Sequence, residues 1–307
     1  MLQLRNLKKS FGTNNVLNNL CLDLKKGEIL SILGGSGSGK STLLRIIAGL
    51  EEVYECDDFK CPKKVSMMFQ NYALFPHLNV EQNILFALHD FPKQEQKKCL
   101  QELLQTFEIE SLKLKNISQI SGGQAQRVAF ARAMSRGCEL LLLDEPFSNL
   151  DQGLKSELRM ELKKLIKNQG ISAIMVTHDI EDAYCMSDKI ALLEKGKIID
   201  YNTPEDLYFH PKNKMSAKIL PNLNIVEEAL DLKDTFLAWI NSKGGIFGYT
   251  EIELNGKFEA VVVEKEFLGA FYRLKLNYKN ILFFMLVSSS HIIKEKVYFQ
   301  PINFNGE

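Results

Sequence analysis

The chain has 307 residues, 45% of them hydrophobic, with Lys plus Arg and Asp plus Glu each numbering 38, so its formal net charge is zero. That length suits two domains, or one large domain with an appendage, and the even charge argues against a nucleic-acid partner, which usually leaves a basic excess. The longest apolar run, residues 281–287, is seven residues, far short of the roughly 18 that a membrane-spanning helix needs, and no apolar segment with a small-residue cleavage site opens the chain, so a cytosolic location is expected.

Residues 1–24 hold two short apolar segments separated by a turn at 10–15 that contains Phe11. Phe11 fits either a core or a surface on which a purine ring stacks. Residues 28–42 read as a buried strand, a glycine loop and the start of a helix. Gly34, four residues, then Gly39-Lys40-Ser41 is the phosphate-loop pattern. Gly34, Gly37 and Gly39 let backbone amides point at one spot without a Cβ in the way, and the helix carrying Leu43, Leu44, Ile46, Ile47 and Leu50 brings its positive end to the same spot. Lys40 is expected at the β- and γ-phosphates and Ser41 on Mg²⁺.

Residues 51–64 look like a surface excursion, 65–69 like a strand ending at Gln70, and 80–114 like a small helical insertion with Leu100, Leu103, Leu104 and Phe107 at helical steps. Ser121-Gly122-Gly123-Gln124 opens a further helix whose N-terminus suits an anion. The unbroken run 140–143 fits a strand covered on both faces, and it ends in Asp144-Glu145 where open α/β sheets place ligands. Asp151 starts a long helix, and the next strand ends at His178, either a structural histidine or a ligand of the same site. Residues 189–201 read as a hairpin, and Thr203-Pro204 starts a helix. From Gly245 onward about five short strands, with Asn255-Gly256 as a tight turn, suggest a small β-barrel. The six cysteines, at 21, 56, 61, 99, 138 and 185, include one C-x₄-C spacing, Cys56 to Cys61, which is poor evidence for zinc.

With these motifs in order, residues 1–218 resemble an ATP-binding-cassette transporter ATPase. The resemblance rests on the phosphate loop, Gln70, Ser121 to Gln124, the run into Asp144 and Glu145, Ser148 to Asp151, and His178. It implies an α/β P-loop NTPase cassette, with a RecA-like mostly parallel sheet, an antiparallel β part and a helical insertion at about 80–136. A linker at 219–244 would lead to a small all-β, OB-like regulatory barrel at 245–307. ATP and Mg²⁺ are the implied cofactors. Phe11 would stack on adenine, and Gly34, Gly35, Ser36, Gly37, Ser38, Gly39, Lys40, Ser41 and Thr42 would hold the phosphates. Ser41, Gln70 and Asp144 would hold the metal, Glu145 would be the general base, and His178 would contact the γ-phosphate. Ser121, Gly122, Gly123, Gln124 and Asp151 would act across a homodimer, closing on nucleotide held by the other copy.

The chain departs from the family's usual pattern at Ile120, Gly35, Ser38 and Asn149, all conservative for the chemistry, and at 49–70, where the antiparallel strands look trimmed. Residues 70–78, 176–179 and 203–206 resemble importer cassettes with a C-terminal barrel, which work on the inner face of the cell membrane with integral-membrane permeases and, indirectly, a substrate-binding protein. Residues 26–30 and 270–274 look most like the ferric-iron branch, with polyamine, inorganic-anion and sugar uptake as alternatives. A soluble cassette ATPase acting on DNA or ribosomes is the rival of another class. Such proteins commonly carry two cassettes or a coiled-coil insertion, which this chain lacks.

Overall fold

The computed structural model describes residues 1–302 except 53, 228, 229 and 231, so the last five residues of the expected barrel lie outside the described residues. Contacts divide the chain into two units, Met1–Pro204 and Glu205–Glu307.

The first unit opens with an antiparallel pair, β1 (Leu2–Phe11) and β2 (Asn14–Leu24). β3 (Ile29–Leu33) runs through the glycine loop into α1 (Lys40–Ile47). Three-residue β4 (Asp58–Lys60) pairs with Gln3 to Arg5 of β1, the short antiparallel edge that the trimmed stretch allows. β5 (Val65–Met68) precedes the insertion, which holds α2 (Val80–Ala87), α3 (Lys93–Thr106) and α4 (Gly122–Met134). β6 (Leu140–Asp144), α5 (Gln152–Asn168), β7 (Ser172–Thr177), α6 (Ile180–Met186), β8 (Lys189–Glu194) and β9 (Lys197–Asn202) complete it. The main sheet has the order β5-β6-β7-β3-β8-β9, parallel except for the β8–β9 hairpin.

β6 explains why the sheet is buried on both sides. Its run has no polar residue to turn toward water, and side chains alternate across a strand. Leu141 and Leu143 enter the core shared with the insertion and α5, whereas Leu140 and Leu142 enter the core under α1 and the β1–β2 pair. All four are fully buried. The register sets Leu33 beside Thr177 and Asp144 beside Val176, so the chain leaves β3, β6 and β7 at neighbouring points on one edge.

The second unit begins one residue into α7 (Pro204–Phe209) and contains α8 (Lys214–Ile219), β10 (Leu223–Ile225), α9 (Thr235–Ser242) and β11 (Ile246–Gly248). Its main sheet is antiparallel, β14-β13-β12-β15, from β12 (Ile252–Phe267), β13 (Phe271–Tyr278), β14 (Ile281–Ser288) and β15 (Lys296–Pro301). The Asn224 side chain of β10 extends hydrogen bonding beyond β14: it donates to Phe284 O at 2.8 Å and accepts from Phe284 N at 2.6 Å. The strands form a mainly β assembly whose core is plugged by α9, in keeping with a small barrel.

Two expectations are corrected here. The stretch 219–244 is not a linker, because α9 buries Phe236, Leu237 and Ile240 in the second unit's core. The unit accordingly starts at Glu205, ahead of residue 218. Asn255-Gly256 is not a hairpin turn but a bulge within β12, where the pairing with β15 shifts between Leu254 and Phe258. Asn255 takes φ 65°, and a Cβ on Gly256 would run into the Phe299 backbone. Asn-Gly serves both geometries, since each needs a positive φ and a bare Cα.

Phe236 touches the rings of Trp239, Phe247, Phe258, Tyr278, Phe283 and Phe299 at centroid distances of 4.8–6.5 Å. Phe236→Ala should therefore cost about 3–5 kcal/mol, read as a lower denaturation midpoint for the second unit. An unchanged midpoint would remove α9 from its core.

Candidate functional site

The loop after β3 is shaped by steric demand at two glycines. Gly39 has φ 106°, and a Cβ there would lie 2.8 Å from a Leu17 methyl and 2.9 Å from Val16 O. Gly34 packs so closely that a Cβ would run into the Leu193 carbonyl oxygen. Gly35, by contrast, has open space around it, so no steric demand requires glycine there. Lys40, 8% exposed, donates to Gly34 O at 2.7 Å and Gly35 O at 2.9 Å. Burial pushes its ammonium below the ordinary lysine range, opposed by Glu145 and Asp144.

Ser41 Oγ donates to Asp144 Oδ1 at 3.1 Å. Burial pushes the Asp144 carboxyl up, the Ser41 bond working against it and nearby Glu145 with it. Glu145 takes φ 46°, unusual for a residue with a Cβ and costing about 1–3 kcal/mol. Three bonds hold it there: its N–H donates to Val176 O at 2.9 Å, and Ser148 donates to its carbonyl from Oγ at 3.0 Å and from its N–H at 3.3 Å. Its carboxylate takes Gln70 Nε2 on one oxygen at 3.0 Å and lies 3.1 Å from His178 Nδ1 on the other.

A cleft of about 620 Å³ opens above these groups. Phe11, Ser36, Gly37, Ser38, Gly39, Lys40, Ser41, Thr42, Glu145 and His178 line it. Asp144 reaches it through Ser41, and Gln70 through Glu145. Phe11 is half exposed, which decides between core and surface, and Lys9 Nζ lies 4.6 Å from its ring centre. Ser38 Oγ is buried with no hydrogen-bond partner among the described residues.

Other expected residues lie elsewhere on the unit. Ser121 and Gln124 cap α4 reciprocally, Gln124 N–H on Ser121 Oγ and Ser121 N–H on Gln124 Oε1. A Cβ added to Gly122 would lie 3.9 Å from Asn149 O, and one on Gly123 would strike Leu154. Asp151 begins α5 without a side-chain cap bond. None of these five residues lines the cleft of its own chain.

Asn83 and Arg132 escaped the sequence reading. Fully buried Asn83 accepts from Phe75 N at 2.9 Å and donates to the carbonyls of Phe75, Leu78 and Asn79. Arg132 donates to the Tyr72 and Ala73 carbonyls at 2.7 Å each, where both residues have positive φ. Together they hold the loop that follows Gln70. A lone Asn or Arg on a helix carries no sequence signal for that task.

The Asp144 carboxyl makes a testable demand. Its raised pKa means that the fold favours the neutral acid, a contribution fully present below the ordinary value of 3.8 and lost as pH rises through the shifted value. At neutral pH Asp144→Asn should therefore raise the Tm of nucleotide-free protein, and the gain should shrink on acidification. A lower Tm at pH 7 would reverse the sign.

Residues 17–148 match the family model described as ABC transporter. The putrescine transport ATP-binding protein PotG of Escherichia coli is 39% identical over 75% of this chain, which spans 64% of PotG. The Fe(3+) ions import ATP-binding protein FbpC of Fusobacterium nucleatum is 38% identical over 75% of this chain and 65% of its own. A spermidine/putrescine import ATP-binding protein PotA of Clostridium acetobutylicum is 34% identical over 91% of this chain and 88% of its own. Among solved structures, a dimeric ATP-binding cassette in a post-hydrolysis state bound to ADP and Pi matches at TM-score 0.57 and 30% identity, covering 66% of this chain and 99% of that one. On the cleft geometry and these matches together, the chain belongs to the ATP-binding-cassette (ABC) transporter family, as one of its ATPases.

Proposed function

We propose that the chain is the ATPase subunit of an importer, and that two copies hydrolyse Mg-ATP between them to drive a membrane permease. The observation that carries this is the convergence of Lys40, Glu145 and His178 on one cleft, with Asp144 joined to it through Ser41. Adenine stacks on the open face of Phe11. Lys40 exchanges the Gly34 and Gly35 carbonyls for the β- and γ-phosphates, joined by the amides of the loop and the N-terminus of α1. Ser41 and Asp144 would supply hard oxygen donors suited to Mg²⁺, and Gln70, bonded to Glu145, would supply a further one. A buried carboxyl with a raised pKa fits that role, because a cation offsets the cost of ionising it. Mg²⁺, when bound, spreads the charge that develops on the phosphates.

Gln70 and His178 orient Glu145, which takes a proton from water as the water oxygen bonds to the γ-phosphorus. The bond to the β-phosphate oxygen breaks, and ADP and inorganic phosphate leave. Ser121 to Gln124 and Asp151, which lie off their own cleft, serve the nucleotide of the second copy. A groove of about 390 Å³ lined by Phe75, Phe86, Ala87, His89, Arg132 and Arg136 receives the permease, and Phe86 is 54% exposed there. Among the described residues no helix is long and apolar enough to cross a membrane, and we place the subunit on the cytoplasmic face.

For cargo we propose a polyamine. Relatives with polyamine names include one aligned over 91% of this chain, hence across both units. Ferric ion is the second reading, favoured by the FbpC relative and by residues 26–30 and 270–274.

Glu145→Gln should keep ATP affinity and cost about 10²–10⁴ in phosphate release, the usual worth of a general base. Undiminished release would take Glu145 out of that role. Cells lacking this chain should lose uptake of labelled spermidine or putrescine and keep uptake of ferric ion. The opposite pattern would move the assignment to iron.

A further inference from the structure

His178 is 63% exposed and meets Glu145, yet of its chain neighbours Asp179 is fastened to α5 directly and Thr177 is tied to it through Asp182 of α6. On that helix Arg159, 4% exposed, donates from Nε to Asp182 Oδ1 at 2.6 Å, with its Nη2 3.5 Å from Asp179 Oδ2 and its Nη1 3.5 Å from Glu181 Oε2. One turn earlier, Lys155 Nζ lies 3.3 Å from Asp179 Oδ2. Thr177 Oγ1 donates to Asp182 Oδ2 at 3.2 Å and accepts the Asp179 N–H at 2.9 Å. The residues on either side of His178 are thus locked into a buried charged network whose centre is one guanidinium.

The same helix follows directly on the segment that holds Glu145. Asp151 is its N-cap, and Ser148, three residues before that, donates to the Glu145 carbonyl. Buried ion pairs are often replaceable by apolar residues without loss of stability, since desolvation cancels much of the attraction. A planar fork reaching three carboxylates is better explained by the orientation it imposes.

We propose that Arg159 is a positioning residue for ATP hydrolysis, using α5 to fix the 177–182 turn so that His178 faces Glu145 and the cleft. The inference rests on the reading of His178 given under Proposed function. It makes α5 the common support of the two side chains that meet over the nucleotide.

The test is a double-mutant cycle on the full chain, with turnover, ATP affinity and Tm measured for the parent, His178→Ala, Arg159→Met and the double variant. Arg159→Met should lower turnover roughly ten-fold, within the range of coupled neighbours, with ATP affinity unchanged. That loss should vanish in the His178→Ala background, and Arg159→Lys should recover part of it. Equal losses in both backgrounds, or turnover falling only in step with Tm, would overturn the proposal. Should Arg159→Met fail to fold, Asp182→Asn keeps the shape and the Thr177 bond while removing the charge that Arg159 grips, and the same pattern is required of it. If His178→Ala itself leaves turnover intact, the reading of His178 fails first, and that outcome is separable because it needs no Arg159 variant.

Discussion

The parallel pairing of β6 with β7 and of β7 with β3 is the constraint on which the rest depends. Each strand is apolar on both faces apart from buried Ser31 of β3, which is bonded to Ser187, so each must be sandwiched, and a sandwiched parallel strand presents polar chemistry to a ligand only at its ends. Asp144, Thr177 and the glycine loop are therefore polar where polarity is first permitted. The register then decides which ends meet. A one-residue slip of β6 would turn Leu141 and Leu143 to the opposite core and withdraw Asp144 from Ser41.

Within that frame the cleft is organised by internal pairing. Lys40 is bound by two carbonyls of its own loop, Asp144 by Ser41, and Glu145 by Gln70 on one oxygen with His178 beside the other. Each buried charge thus has a local partner, which limits the desolvation cost of keeping a site this polar among apolar strands. The strained backbone of Glu145 belongs to the same economy of shape, because its carboxylate is aimed by a conformation that Val176 and Ser148 enforce.

Much of this was legible in the residues. The glycine spacing at 34–39 reports a steric requirement that the Leu193, Val16 and Leu17 contacts make concrete. The run 140–143 announces double-sided burial, and carboxylates at its end follow from general sheet architecture. What escaped was of another kind. α9 is short, and its apolar face resembles that of many surface helices until the aromatic rings around Phe236 are brought together by strands far along the chain. Asn255-Gly256 states that a positive φ is needed but not whether the chain turns or bulges. Arg132 and Arg159 work through partners distant in sequence, which no local pattern encodes, and Asn83, whose partners are close in sequence, serves a loop geometry that no residue pattern announces.

Arg132 and the turn at Ser121 sit on one rigid rod. They are eleven residue steps apart along α4, about 16 Å of axis, and the guanidinium is bolted to the backbone of Tyr72 and Ala73. Whatever presses on that backbone acts on a lever: a tilt of about 10° pivoting at Arg132 would swing the glycine end by about 3 Å, roughly the span between a hydrogen bond and none.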